Sequence, residues 1–382
     1  MLGCGVNTVA IFDRGGITRL FPIDRTTSIT YGRVKDDMSE ALIRVPTSAD
    51  CCRELASVEC VRHEVVIYRD GQRVWEGPIT RMAFSADEIE IDAKDVMFWP
   101  YRTIMRAGYS NAYPNIAFGT DRIGTIMRAE LQRKEDSLTP INVLPYLSIH
   151  TEATTARTSR ITEPYQKTIY EELDDMAAKA GLDYTVVGRA IHVHDTSYLL
   201  GQTALATEAD FLGGVIVTAY GMDLATYAAV TDGQGTWGAA EVDMSFYGNV
   251  EVLATAYDEE SDTTNPSEAE LRSQANRNLK QKYPVPMVVR IPDSSQVNPN
   301  STVFSFDNLV PGVKVPLMCT IGCKRLQQEQ KIDKVKVTQD ETGEAITLTL
   351  VPFPGAAVQD PDPPTVPGAD SASAGSWATE MP

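Results

Sequence analysis

The sequence repeats one pattern of alternating apolar and polar residues, early in the chain and again near its end. The first copy runs from Ile79 to Ala93, with the apolar residues Ile79, Met82, Phe84, Ile89 and Ile91. The second runs from Ile332 to Leu350, with Val335, Val337, Ile346, Leu348 and Leu350. Because successive side chains of a strand point to opposite faces, each copy predicts an antiparallel hairpin with one buried face. The repetition indicates either a duplicated β unit or a coincidence between two half-buried hairpins.

The first hundred residues predict about six strands, enough to close a small β-barrel over residues 1–100. The clearest signal is Asp70-Gly71 between the alternating runs 64–69 and 72–75, which predicts a hairpin with a type I′ turn. The other expected strands are Thr8 to Asp13, Ile17 to Leu20, Ser28 to Val34 and Ala41 to Val45, besides the pair in the first repeat. We also expect Asp50 to cap a short helix that ends near Val58.

Residues 101–210 predict an α/β insertion. Two amphipathic helices are expected, with the apolar stripes Ile123, Ile126, Met127 and Leu131, and Ile169, Leu173, Met176, Ala177 and Ala180. The second helix leads into two strands, Tyr184 to Val187 and Ala190 to His194. A helix followed by a hairpin forms a compact unit.

Residues 211–355 predict a second β domain with one inserted helix at 267–282. Ser267 and Glu270 form a capping box, and Leu271, Ala275 and Leu279 share one helix face. The expected strands are 215–220, 227–230, 242–246, 250–253, 287–291, 313–320, 331–337 and 345–351. Residues 356–382 are rich in proline and cannot bury enough apolar surface alone. We expect this extended tail to lie on a neighbouring chain, with Trp377 as its anchor.

Composition excludes several classes of function. The sequence contains 34 Lys and Arg residues and 52 Asp and Glu residues, which gives a net charge of −18. This charge disfavours binding to nucleic acid phosphates. A membrane-spanning apolar run and a secretory signal are both missing from the sequence, so we expect neither membrane insertion nor conventional secretion. The cysteines suit reduced thiols made in a cytoplasm: Cys4, Cys51, Cys52, Cys60, Cys319 and Cys323.

The sequence predicts no catalytic, cofactor-binding or metal-binding residues, and hence no enzyme. Sequence motifs of nucleotide-binding loops, zinc proteases and serine hydrolases are missing. The best metal candidate combines His192, His194 and Asp195 with Cys319 and Cys323, and we interpret these as ordinary strand residues. The acidic groups Glu171-Glu172, Asp174-Asp175 and 258–262 are interpreted as solvated surfaces.

Several segments in a fixed order carry a family resemblance. They are Tyr31-Gly-Arg-Val-Lys-Asp-Asp-Met-Ser-Glu-Ala41, Tyr68-Arg-Asp-Gly71, Val74-Trp-Glu-Gly-Pro-Ile79, Leu173 to Leu182, Tyr247-Gly248 before Glu251, Ala275 to Leu279, and Leu309-Val-Pro-Gly312. Together they resemble the tail-hub or minor tail proteins of long-tailed actinobacterial phages, which are related to the baseplate hub of contractile phages. The resemblance covers most of residues 5–353.

The resemblance implies a mainly β protein with two small barrel domains of tail-hub type and an α/β insertion. It implies a homotrimer whose barrels form a pseudo-sixfold ring in the virion, at the tail tip, after synthesis in the host cytoplasm. The implied partners are the tail tube, the distal tail protein, the tape-measure protein and spike or fibre proteins, and DNA passes through the ring without specific binding. Two alternatives stay open: a distal tail ring or receptor-binding accessory protein, and a cell-wall hydrolase.

Overall fold

The computed structural model describes residues 2–106, 108, 147–151, 165–180, 182–195, 200–233, 235–255, 267–283, 285, 287–290, 292, 295–321 and 324–353. The predicted helix around Ile123 to Leu131, Cys323, the acidic run 258–262 and the tail with Trp377 lie outside these residues.

The first part of the chain alternates between strands and two short helices. The elements are β1 (Asn7–Phe12), β2 (Arg19–Ile23), β3 (Ser28–Val34), β4 (Glu40–Pro46), α1 (Cys52–Leu55), β5 (Glu64–Arg69), β6 (Gln72–Phe84), β7 (Glu88–Lys94) and α2 (Phe98–Arg102). They are followed by β8 (Ser148–Thr151), α3 (Ile169–Ala180), β9 (Leu182–Val187) and β10 (Ala190–Asp195).

The second part is mainly β with one longer helix. It contains β11 (Ala206–Thr207), β12 (Ile216–Ala219), β13 (Tyr227–Thr231), β14 (Trp237–Glu241), β15 (Glu251–Thr255) and α4 (Glu268–Lys282). The remaining strands are β16 (Met287–Arg290), β17 (Lys314–Ile321), β18 (Lys324–Asp340) and β19 (Gly343–Pro352). Single turns of 3-10 helix begin at Glu208, Gly221 and Phe306.

An eleven-stranded sheet joins the beginning of the chain to its end. Its order is β11-β17-β18-β3-β4-β7-β6-β5-β1-β2, with β19 paired to β18. The connection is the antiparallel ladder between β3 and β18, in which Tyr31 lies opposite Val337. The strands of residues 1–100 and those of residues 314–352 therefore share one hydrogen-bonded network.

Both predicted repeat hairpins are confirmed. Ile79 pairs with Ala93 in β6 and β7, and Ile332 pairs with Leu350 in β18 and β19. The expected inward side chains are buried except for two: Met82 is half-buried, and the prediction for Phe84 was wrong because this side chain is 56% exposed. Phe84 ends its strand at the turn, where the alternating pattern no longer reaches the core.

Strand β6 pairs first with β5 and then with β7, and Gly77 lies next to the point where the pairing changes. Its first half pairs with β5 as far as Pro78, and its second half pairs with β7 from Ile79 onward. A Cβ atom on Gly77 would lie 1.8 Å from the carbonyl oxygen of Lys94. Only glycine allows this close approach of two backbones.

The predicted Asp-Gly turn is confirmed, whereas the predicted helix cap was wrong. Asp70 and Gly71 have φ angles of 51° and 81°, as a type I′ turn requires. Helix α1 is a single turn whose N-cap is Cys51 instead of Asp50. Asp24 accepts the N–H groups of both residues at 3.2 Å, so an aspartate from an earlier loop holds the chain just before the helix, and no side chain caps the helix itself.

Of the four apolar cores among the described residues, three hold the larger elements together. The largest contains inward side chains from both ends of the chain, including Ile11, Ile43, Ile91, Val337 and Leu348. A second core lies under the α/β unit, where Ile169, Leu173 and Ala177 of α3 face Tyr184 and Ile191. The third packs α4 through Leu271, Ala275 and Leu279 onto one face of the sheet β14-β13-β15, which confirms the predicted helix stripe.

The fold is mainly β with an α/β unit, as expected. Among the described residues no closed barrel occurs, so the number of barrel domains and their bounds stay predictions. The strand expected at 242–246 was wrong, because β14 lies earlier, over Trp237–Glu241. None of the helices that the structure describes combines the length and the apolarity that crossing a bilayer requires.

Candidate functional site

A buried ion pair fastens the N-terminal strands to the C-terminal hairpin. Arg69, at the end of β5, donates two hydrogen bonds to Glu344 of β19, with N–O distances of 2.7 and 2.8 Å. Glu344 also accepts the backbone N–H groups of Gly3 and Gly5, each at 3.1 Å. Burial would raise the pKa of Glu344, but the hydrogen bonds and charge of Arg69 outweigh burial and lower it. This carboxylate is therefore a structural anion at neutral pH.

Uncharged and aromatic side chains extend this cluster. The Tyr31 hydroxyl donates to Asn7 at 2.9 Å, and the Asn7 amide donates to Gln339 at 2.7 Å. The guanidinium groups of Arg69 and Arg33 lie over the ring of Phe306, at 4.7 and 5.2 Å from its centroid. Burial is the main reason why the pKa of Tyr31 is raised, so the phenol stays protonated. The cluster joins segments from both ends of the chain.

A second cluster docks the α/β unit onto the main sheet through a single cation. Arg189, in the turn between β9 and β10, donates to Glu64 at 2.6 Å and to Glu76 at 3.1 Å. Burial raises the pKa of Glu76, and the charge of Arg189 offsets part of that rise. Gly16 lies against this group at a φ of +65°, and a Cβ there would be 2.7 Å from a Glu76 oxygen.

A third cluster docks the same α/β unit with the charges reversed. Asp183 of β9 lies between two lysines, Lys35 at 3.1 Å, which directly follows β3, and Lys331 of β18 in direct contact. Burial would raise the pKa of Asp183, but the charges of Lys331 and Lys35 outweigh burial and lower it. Beside this group, Asp36 and Tyr184 exchange hydrogen bonds, with the Tyr184 N–H donating to the Asp36 carboxylate at 2.8 Å and the Asp36 N–H donating to the Tyr184 carbonyl.

A buried carboxylate also braces the crossing of β4, β6 and β7. Asp95 accepts the Ser39 N–H at 2.7 Å, the Ser39 hydroxyl at 2.6 Å and the Met97 N–H at 2.8 Å. The Trp75 indole N–H donates to the Ser39 hydroxyl at 3.0 Å. Burial raises the pKa of Asp95 to about 6, because it outweighs the three hydrogen bonds that favour the charged form.

The metal candidates occupy separate surroundings. His192 and His194 lie two positions apart on β10. The His192 ring stacks on His150, with ring centroids 5.0 Å apart, whereas His194 is fully buried near Gly312. Cys319 is buried in β17, where Leu326 lies opposite it. In the described part of the chain, no three His, Cys, Asp or Glu side chains lie close enough to hold a metal ion.

The acidic residues of α3 serve the helix and its contacts. Glu171 accepts the N–H and the hydroxyl of Thr168, at 2.8 and 2.9 Å, and thereby caps the first turn. Asp175 pairs with Lys167. The expectation that all four acids are solvated was wrong for Glu172, which is only 2% exposed because its side chain lies on the buried side of the helix.

Surface apolar side chains mark candidate contact areas. Those exposed by more than half include Val6, Ile17, Phe84, Tyr165, Leu212, Ile216, Met222, Trp237, Phe246 and Leu253. No sequence pattern predicted their exposure, and Phe84 was expected to face the core. The Arg69, Arg189 and Asp183 clusters were not predicted either. Charged residues on half-buried strands look the same in sequence whether solvent or a distant segment faces them, so no local signal identifies these pairs.

Solved structures of tail proteins, two of them from prophages, share this fold. The 43 kDa tail protein of prophage MuSo2 from Shewanella oneidensis gives a TM-score of 0.60 at 10% identity and covers 92% of this chain and 100% of that one. The tail protein from Neisseria meningitidis gives 0.54 at 11% identity, with 92% and 99% covered. Prophage tail protein gp18 from Listeria monocytogenes gives 0.56 at 10% identity, with 90% and 94% covered.

The fold resemblance predicted from the sequence is therefore confirmed. At such identities the likeness establishes the fold and leaves the function to be argued from the chain itself. No family model matches the sequence, and no curated protein does.

Proposed function

We propose that this chain is a structural, non-enzymatic hub protein at the tail tip of a long-tailed phage. Three copies form a ring with pseudo-sixfold symmetry that joins the tail tube and distal tail protein to tape-measure and spike or fibre proteins. The observation that carries this proposal is the fold shared with three tail proteins, two of them from prophages, over nine-tenths or more of this chain. In this assignment, residues 1–100 and 211–355 are the two hub domains and residues 101–210 the insertion.

The use of buried charge supports a mechanical role. Glu344, Asp183 and Glu64 each accept hydrogen bonds from an arginine or lysine that is distant in sequence. A catalytic carboxylate has to face a substrate, whereas these carboxylates hold segments of the chain together. Such cross-links suit a part that transmits force between the tube and the tip.

The net charge suits a channel for DNA. With 52 acidic and 34 basic residues, a ring of three copies carries a large excess of negative charge. An acidic inner wall repels phosphates, so DNA can pass without binding. A neutral or basic inner surface in a structure of the assembled ring would contradict this part of the proposal.

The C-terminal segment is proposed to contact a neighbouring copy through Trp377. Deleting residues 356–382 should then weaken trimer formation, measured by size-exclusion chromatography with light scattering. The variant Trp377→Ala tests the anchor alone, and we expect it to reproduce much of the loss in trimer formation. Unchanged assembly in both variants would contradict the contact.

Location in the particle and enzymatic activity test the proposal together. Immunogold labelling of virions should place the chain at the free end of the tail, and purified protein should release no peptidoglycan fragments. Label spread elsewhere on the particle, or measurable release of fragments, would contradict the hub and favour the accessory protein or the hydrolase.

A further inference from the structure

The sheet β14-β13-β15 has one covered face and one exposed face. Ala228, Val230 and Ala240 face α4 and are at most 8% exposed. The opposite face carries Trp237, which is 60% exposed, and Leu253, which is 73% exposed. Because side chains alternate along a strand, residues two apart on each strand line this second face. Large exposed apolar side chains grouped on one face are typical of an interaction site.

The strand register places this outer face in three rows. The middle row is Ala239, Ala229 and Leu253. Its two alanines form a low floor, since the larger Trp237 lies in the row on one side and Tyr227 in the row on the other. An apolar side chain from a partner fits this depression, with Leu253 as one wall.

One end of the same face is acidic. Tyr227 lies between Glu241 on one neighbouring strand and Glu251 on the other, and both carboxylates are exposed. Strands lie about 4.8 Å apart, which puts these two backbone positions about 10 Å apart across the tyrosine ring. A cation placed over this ring gains the attraction of both carboxylates and of the ring face.

The row spacing matches an extended peptide. Rows on one face are separated by two residues, about 7 Å, which is also the spacing of same-side residues in an extended chain. A segment with an apolar residue at one position and Lys or Arg two positions away meets the alanine floor and the acidic row together. The same face of a second copy fits poorly, since it would bring its own Glu241 and Glu251 against this acidic row.

We propose that this outer face, defined by Tyr227, Ala229, Trp237, Ala239, Glu241, Glu251 and Leu253, docks an extended basic-apolar segment of a different protein. The proposal goes beyond the hub assignment and holds whatever ring the chain forms. It predicts that the partner is recognised through a lysine or arginine two positions from an apolar anchor.

The test uses the full chain and two synthetic peptides. One peptide repeats Leu-Ser-Lys-Ser, so that leucine and lysine lie two positions apart on one side of the extended chain. The matched peptide repeats Leu-Ser-Glu-Ser, and both carry a photoreactive leucine. Binding is measured by calorimetry, and the cross-linked residues are identified by mass spectrometry. The variants are Glu241→Gln with Glu251→Gln, Leu253→Ser, and the control pair Glu54→Gln with Glu59→Gln, which removes two exposed carboxylates elsewhere.

We expect the lysine peptide to bind and to cross-link to β13, β14 or β15, and the glutamate peptide not to bind. The Glu241 and Glu251 double variant and the Leu253 variant should each weaken binding roughly tenfold or more, as expected for a contact worth at least about 1.4 kcal/mol, whereas the control pair should not. Equal binding of both peptides, cross-links on other elements, or an equal loss in the control pair would overturn the proposal. A self-associated form that dissociates in the Leu253 variant would also overturn it, because a second copy would then occupy the face.

Discussion

Single buried charges set how firmly distant parts of this chain are joined. Arg69 is 8% exposed and the Glu344 side chain is fully covered, so neither can return to water when its partner is lost. An uncompensated charge in such a place costs far more than the intact pair contributes. The same reasoning applies to Arg189 between Glu64 and Glu76, and to Asp183 between Lys35 and Lys331.

The change Glu344→Gln should lower the free energy of unfolding by about 3 kcal/mol, because it removes the buried counter-charge of Arg69 and leaves only the exposed carboxylate of Asp70, at 3.3 Å. Urea denaturation followed by circular dichroism measures the loss. The control is Glu40→Gln, which makes the same chemical change in the exposed pair with Lys94 and should leave stability almost unchanged. Equal effects of both changes would show that the buried pair has no special role.

Asp95 should give the stability a definite pH dependence. Its pKa is about 6 in the folded chain and about 3.9 in an unfolded one, so the folded state keeps a proton that the unfolded state loses. Stability relative to Asp95→Asn should therefore fall as pH rises from about 4 to about 6, by about 2 to 3 kcal/mol in all.

Unfolding curves at several pH values measure this difference, with Asp87→Asn as a control for removing an exposed carboxylate from the same region. A constant difference between wild type and Asp95→Asn across this range would contradict the raised pKa of Asp95.

At the scale of elements, local sequence signals predicted most strands. They could not predict which strands pair when those strands are far apart in the sequence. The Asp70-Gly71 turn, the stripe Leu271, Ala275 and Leu279, and the alternation in β18 and β19 are local, and all three predictions were confirmed. The pairing of β3 with β18 joins residues about 300 positions apart, and no local pattern specifies it. The strand expected at 242–246 failed because alternating residues also occur in a loop.

The α/β unit should detach locally when its docking cation is removed. In Arg189→Met, Glu64 and Glu76 keep their buried sites without the cation that they share, so opening of β9 and β10 should become easier. Hydrogen exchange should accelerate roughly tenfold or more in these strands and much less in β3.

Arg62→Met is the matched control, because Arg62 is 62% exposed and pairs with Asp13 at the surface. Acceleration of the same size in all strands would mean that Arg189 supports global stability without fastening the α/β unit in particular.

At the scale of the whole molecule, strands from both ends of the chain lie in one sheet, and buried ion pairs fasten the α/β unit onto it. The ladder of β3 with β18 and the pair of Arg69 with Glu344 close this arrangement. The small sheet β14-β13-β15 presents its outer face to solvent, where a partner can bind. This division into a cross-linked body and an exposed contact face suits a part assembled between other proteins.

The number of copies per particle tests the hub assignment most directly. Quantitative mass spectrometry of purified virions, with isotope-labelled peptides of this chain and of the tail tube protein, gives that number. A trimeric hub predicts three copies per tail. Six copies would identify a distal ring instead, and absence from purified particles would contradict a structural role in the tail.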